Sequence, residues 1–197
     1  MKGNGGERDV GRILLGIILA VALAAVALWA WLRFGHPPVA VGDPPLPHEG
    51  QVVHIALDAR IQRELVAAPP VQTDEGTFVA GARIYREQCA ACHGFHGKPS
   101  HFGGLMYPAA PALWEQHGNS AVVGVSDDPP GETFWKVKNG IRLSGMPAFN
   151  HSLTETQMWQ VSLLVANADK PLPPEAIGIV SGEEPPPGKQ DAGAQKP

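Results

Sequence analysis

Five consecutive residues in the middle of the chain carry its densest chemistry: Cys89-Ala90-Ala91-Cys92-His93. Residues three apart share one side of a helical turn, with Cβ atoms about 5–6 Å apart. Two thiols so placed can each add to one vinyl group of a single haem, and the next residue, His93, can bring its imidazole under the iron. Two other uses of these residues are weaker. A thioredoxin-like Cys-x-x-Cys pair belongs in a βαβ setting, whereas the flanks here are helical in pattern. A zinc site would need a further His pair, and His96/His101 lies too near the cysteines for a zinc-finger spacing. The expected cofactor is one haem c, bound covalently through Cys89 and Cys92, with His93 as an axial ligand.

A low-spin haem needs a sixth ligand, and the chain offers four methionines. Met1 is the start, and Met158 falls on the apolar face of a helical segment. Met106 lies 13 residues after His93 in a loop, and Met146 lies 53 residues after it in Ser144-Gly145-Met146-Pro147. Gly145 permits close backbone approach to a flat cofactor. Pro147 stiffens the loop that presents the sulfur. Met146 is the expected ligand and Met106 the runner-up.

The elements that must position these residues are helices. Phe78, Gly81, Ala82, Tyr85 and Cys89 share one face of a first helix. Phe134, Val137 and Ile141 mark a second, ended by Asn139-Gly140. A third runs from about 154 to 168 with a stripe of Met158, Val161 and Val165, and either Ser152…Glu155 or Thr154…Gln157 fits a capping box at its start. No persuasive period-2 strand is present, so the fold class is all-α. The thin core of roughly 100 residues spanning 73–172 leaves room for a filler such as the haem. Composition excludes other classes. The net charge of −4 gives no case for nucleic-acid binding, and two cysteines rule out an all-cysteine zinc or iron–sulfur site within one chain.

Ahead of that domain, Ile13 to Leu32 is a run of twenty residues without a charge, long enough for one hydrocarbon core. Trp29 and Trp31 stand at its end, and Lys2, Arg8 and Arg12 before it outnumber Arg33 after it. That bias places 1–12 in the cytoplasm, a transmembrane anchor at 13–34, and the remainder outside. A cleaved signal peptide, with Ala25-Val26-Ala27 as the small-x-small site, is the alternative; both export everything after Phe34. Residues 35–72 read as a Pro-rich spacer. Within it Leu57, Ile61 and Leu65 mark a short amphipathic helix over about 54–68. Residues 173–197, with Pro185-Pro186-Pro187, read as a disordered tail.

Several stretches together resemble a membrane-anchored monohaem class I cytochrome c, of the cytochrome c oxidase cbb3-subunit-like type. They are Gly81–Tyr85 before Cys89–His93, Pro108-Ala-Ala-Pro111, Phe134–Arg142, Gly145–Phe149 and Met158-Trp159, within residues 73–172. The resemblance implies the class I helical fold around one covalent haem. It implies that the first and last helices cross at a small residue, which falls on Gly81 against Trp159. It also implies that a proline carbonyl accepts the proximal imidazole N–H; Pro108 and Pro111 both qualify. Arg142 could pair with a haem propionate or lie solvated. Lys136, Lys138 and Arg142 could steer an acidic partner or form an ordinary solvated face.

Ligation by His93 and Met146 leaves iron no open position. The expected function is therefore an electron carrier and not an enzyme. It would sit in the inner membrane, with its haem domain in the periplasm, and serve respiratory or dehydrogenase partner proteins, with no small-molecule substrate. A fixed haem-relay subunit of an oxidase or dehydrogenase, or a haem enzyme or gas sensor, are the alternatives.

Overall fold

The computed structural model of the chain describes residues 5–116, 118 and 120–183. Those residues form eight helices: α1 (Gly5–Phe34), α2 (Glu49–Glu64), α3 (Glu75–Gln88), α4 (Ala90–His93), α5 (His101–Gly104), α6 (Pro130–Asn139), α7 (Glu155–Val165) and α8 (Pro174–Val180). Among the described residues there is no strand, only isolated bridges at Phe95–Lys98 and Gln116–Val123. The fold is all-α, as the sequence indicates. The chain divides into two units, residues 1–49 and 50–197.

The first unit is α1 and the turns that follow. Asp9–Phe34 spans 26 residues and contains an 18-residue stretch of mean hydropathy 2.8, long and apolar enough to cross a membrane. After it, the Asp43 carboxylate accepts the Val39 and Ala40 N–H groups, each at 2.9 Å, and so holds a Pro-flanked turn.

In the second unit, α3 and α7 cross at the centre. Asp74 caps α3 by accepting the Thr77 N–H at 2.8 Å. The capping box at the start of α7 is the Thr154…Gln157 pair. Gly81 lies at the crossing, where a Cβ would meet the Gln160 backbone and, at 3.2 Å, Leu164 Cβ. The atoms nearest that Cβ belong to Gln160 and Leu164, on the same helix as the Trp159 that the resemblance set against Gly81. Trp159, fully buried, stacks on Phe134 of α6 with centroids 4.1 Å apart and planes 9° apart. Met158 is 4% exposed and belongs to the core. Helix α6 ends where Asn139-Gly140 signalled, with Gly140 at φ 66°.

Two sequence boundaries need correction. The spacer helix begins at Glu49 and stops at Glu64, not over 54–68. The Glu49 carboxylate accepts the Leu46 N–H at 2.8 Å and starts the helix ahead of its apolar repeat. Beyond Glu64 the chain leaves the helix to pass α6, where a Cβ on Gly131 would strike the Val66 carbonyl. The tail expected from 173 also begins with a packed element. Pro173 caps and Pro174 opens α8, whose Ala176, Ile179 and Val180 are buried in the core cluster beside α3. The rest of the expected tail, 184–197, lies outside the described residues.

Candidate functional site

The Cys89–His93 turn follows directly from α3. Cys89 is the C-cap of α3, its N–H donating to the Tyr85 carbonyl at 2.8 Å. The Cys89 carbonyl then accepts both the Cys92 N–H at 3.1 Å and the His93 N–H at 2.9 Å. One tight turn therefore carries both thiols and the imidazole. The turn is held from below by Tyr85, whose buried hydroxyl donates to the Gly94 carbonyl at 2.6 Å. Gly94, at φ 81°, packs so closely on Lys98, Pro99 and Ser100 that a Cβ would stand 2.8–2.9 Å from their backbone.

The next loop closes over the other side. Ser100 Oγ donates to the Ala91 carbonyl at 2.5 Å and accepts the Gly103 N–H at 3.0 Å. A Cβ on Gly103 would run into the Cys92 carbonyl. Neither Ser100 nor Gly103 stood out in the sequence; the Ser-x-x-Gly spacing of a short cap was the only signal. Further along, the Pro111 carbonyl lies 2.8 Å from His93 Nδ1. A carbonyl can only accept, so Nδ1 carries the proton and Nε2 keeps its lone pair. Of the two candidate prolines, Pro111 makes the bond. Burial holds the His93 pKa below its ordinary value, while the Pro111 bond pulls the other way.

No disulfide joins Cys89 and Cys92. Burial, with Cys92 beside it, pushes the Cys89 thiol up to about 12. A redox pair of the thioredoxin kind depends on a depressed thiol pKa, so this environment disfavours that chemistry.

Met146 sits on the loop after α6. Its N–H donates to Ser144 Oγ at 3.1 Å, Ser144 Oγ donates to the Ile141 carbonyl at 2.7 Å, and the Ile141 N–H donates back to the Met146 carbonyl at 3.2 Å. Gly140 lets this loop fold against α6, since a Cβ there would stand 2.7 Å from Ala148 N. Met146 and Cys89 are both partly buried against the same core cluster. Met106 is placed beside Gly145, its Sδ 2.7 Å from where a Cβ would be.

The residues fit a covalent haem by their donor chemistry. An imidazole with Nε2 unprotonated, two cysteine side chains on the same turn and a thioether on a separate loop are the groups it requires. Trp159 Nε1, in the same cluster, is a buried donor with no acceptor among the described residues.

The basic cluster is largely engaged within the protein. Lys136 pairs with Glu132 at 2.7 Å and Asp128 at 2.9 Å. Burial opposes its charge, but those two carboxylates outweigh it and raise its pKa. Lys138 lies over the Phe134 ring at 5.6 Å. Arg142 is exposed and, with Arg60 and Trp135, lines a groove of about 400 Å³ between α2 and the end of α6.

Residues 76–163 match the family described as cytochrome c oxidase, cbb3-type, subunit III. A chain of a reducing HAO-like protein complex from Kuenenia stuttgartiensis is similar at 18% identity and a TM-score of 0.40, over 71% of this chain and 54% of that one. The chain thus spans about half the length of that structural relative. No curated protein sequence matches. With its helical fold and its Cys-x-x-Cys-His turn, the segment 76–163 is a class I cytochrome c domain of the cbb3 subunit III type.

Proposed function

We propose that the protein carries single electrons between redox partner proteins while anchored in the inner membrane by α1, its cytochrome domain in the periplasm. In this reading residues 13–34 are the anchor and 35–48 the exposed spacer. One haem c would be held covalently through Cys89 and Cys92, with His93 and Met146 as the residues that would ligate its iron. The haem supplies a one-electron couple. The observation that carries the reading is the Pro111 carbonyl on His93 Nδ1 at 2.8 Å, which leaves Nε2 as a ready ligand and fixes the ring. The protein residues then have passive but exacting tasks. Tyr85, Ser100 and Gly103 hold the Cys89–His93 turn. The Ile141–Ser144 hydrogen bonds shape the Met146 loop. With His93 and Met146 both engaged, such a site would suit electron transfer and would leave no place for a substrate at iron.

The test is made on full-length protein extracted from membranes in detergent. Acid–acetone should leave one haem per chain on the protein, and Cys89→Ala should weaken that retention. Ferric protein should show the weak far-red band of thioether ligation, and Met146→Leu should abolish it and lower the reduction potential. Haem released into the acetone, or a wild type that binds carbon monoxide avidly, would overturn the carrier reading. Activity of a reporter fused after Pro197 that requires the cytoplasm would overturn the orientation.

A further inference from the structure

We infer that Met106 is a positioning residue for the Met146 ligand loop, an inference that rests on the haem reading above. Met106 lies on the loop that leads to Pro111. Its N–H donates to the Gly103 carbonyl at 3.3 Å, the Ala110 N–H donates to the same carbonyl at 3.0 Å, and Pro111 follows with its bond to His93. From there the Met106 side chain reaches across to Gly145. A Cβ on Gly145 would stand 2.7 Å from Met106 Sδ, 3.4 Å from Cε and 3.6 Å from Cγ. Three atoms of Met106 therefore fill the space where a Gly145 side chain would begin, one residue before the proposed ligand. Gly145 is not in the left-handed region. Its lack of a side chain serves the space that Met106 fills, not the local turn.

The ligand loop needs such a contact. Met146 packs on the core cluster, but the loop's hydrogen bonds from Ile141 to Met146 run within it, and Phe149 N–H to the Val137 carbonyl, at 3.0 Å, joins it to α6 after the ligand. At its tip Leu143 has φ 61° and is 91% exposed, so it packs on little. Met106 is a flexible, polarizable side chain suited to filling an irregular seam between two loops. By lying on Gly145 it opposes outward drift of the Gly145–Met146 backbone. It also couples the loop that orients His93 to the loop that presents Met146. The role needs the volume of Met106 and not its sulfur as a ligand.

The experiment compares Met106→Ala, Met106→Leu, Gly145→Ala and Met146→Leu in the full-length haem-loaded protein. Readouts are the far-red ferric band and carbon monoxide binding to the ferrous form, with haem content and circular dichroism as checks on folding. Met106→Ala should weaken the band and raise the carbon-monoxide-accessible fraction about tenfold, equivalent to ~1.4 kcal/mol. Gly145→Ala should act in the same direction, because its Cβ displaces Met106, and it carries the test should Met106→Ala fail to fold. Met106→Leu, which restores volume without a thioether, should stay close to wild type. Wild-type behaviour in both Met106→Ala and Gly145→Ala would overturn the positioning role while leaving Met146 as ligand. Loss of the band in Met106→Leu would overturn it by making Met106 the ligand itself. Retention of the band in Met146→Leu would overturn the ligand reading on which it rests.

Discussion

Replacing Gly81 by alanine separates helix propensity from packing. Gly81 is in α3, and alanine in a helix is favoured over glycine by about 1 kcal/mol. Propensity alone therefore makes Gly81→Ala stabilising. The added Cβ would stand 2.8 Å from the Gln160 carbonyl carbon and 3.2 Å from Leu164 Cβ. Ordinary carbon contacts are about 3.5–4.0 Å, so α3 and α7 must separate by up to about 1 Å at their crossing. The obstacle is backbone and cannot rotate away. Overpacking of this kind costs typically ~1–3 kcal/mol, and near the upper end the net loss is about 2 kcal/mol after the propensity gain. For a domain of this size that is a fall in melting temperature of about 10 °C. Gly76, on the same helix, is the control: its nearest neighbour would be Asp74 Oδ1 at 3.6 Å, an ordinary contact. Gly76→Ala should therefore hold or gain stability. Thermal unfolding followed by circular dichroism in detergent reads both. A Gly81→Ala protein that melts at or above wild type, or two variants that shift in the same direction, would refute the argument.

Two further outcomes follow from the same geometry. Tyr85→Phe strips the hydroxyl that donates to the Gly94 carbonyl at 2.6 Å and leaves a buried acceptor unmet; it should cost about 1–2 kcal/mol in a thermal melt, and an unchanged melt would show the bond to be idle. The Trp135 indole N–H, at 2.7 Å, is the main cause that holds the Glu64 carboxyl below its ordinary 4.5. A folded pKa depressed in this way contributes stability above the unfolded value and loses it as pH falls through the folded one. Proteolysis of the 65–72 segment should accelerate below pH 4.5 in wild type, and Trp135→Phe should flatten that dependence; a wild type with no acid step would contradict it.

What could be read from the sequence was local. Cys-x-x-Cys-His, the Thr154…Gln157 cap and the Gly140 stop each use residues within one turn. What could not be read depended on distant neighbours. Pro108 and Pro111 are equivalent in pattern, and only the fold of the 100–111 loop brings the Pro111 carbonyl to His93. Helix α8 was hidden because its prolines read as tail, although Pro174 opens the helix and the His96 N–H donates to the Val180 carbonyl at 2.8 Å. Lys136 looked like a free surface charge until Asp128, eight residues back, met it. Gly81 was legible as a crossing point, but the closeness of the Gln160 backbone there was not.

The attachment of α2 to α6 changes what the linker does. Ile61 is 1% exposed, Trp135 holds Glu64, and Gly131 admits the Val66 backbone. The part of the chain between α1 and α2 is then residues 35–48 and not the whole of 35–72. Fully extended, that shorter tether reaches about 45 Å instead of about 120 Å. For a chain moored by α1, the volume the domain can sweep shrinks by about twentyfold, and the effective concentration of the domain at a partner within reach rises in proportion. A partner whose docking face stands far above the bilayer falls outside that volume altogether. Under that mooring, the length of the leash, more than the affinity of the face, would select which partner proteins the cytochrome domain reaches.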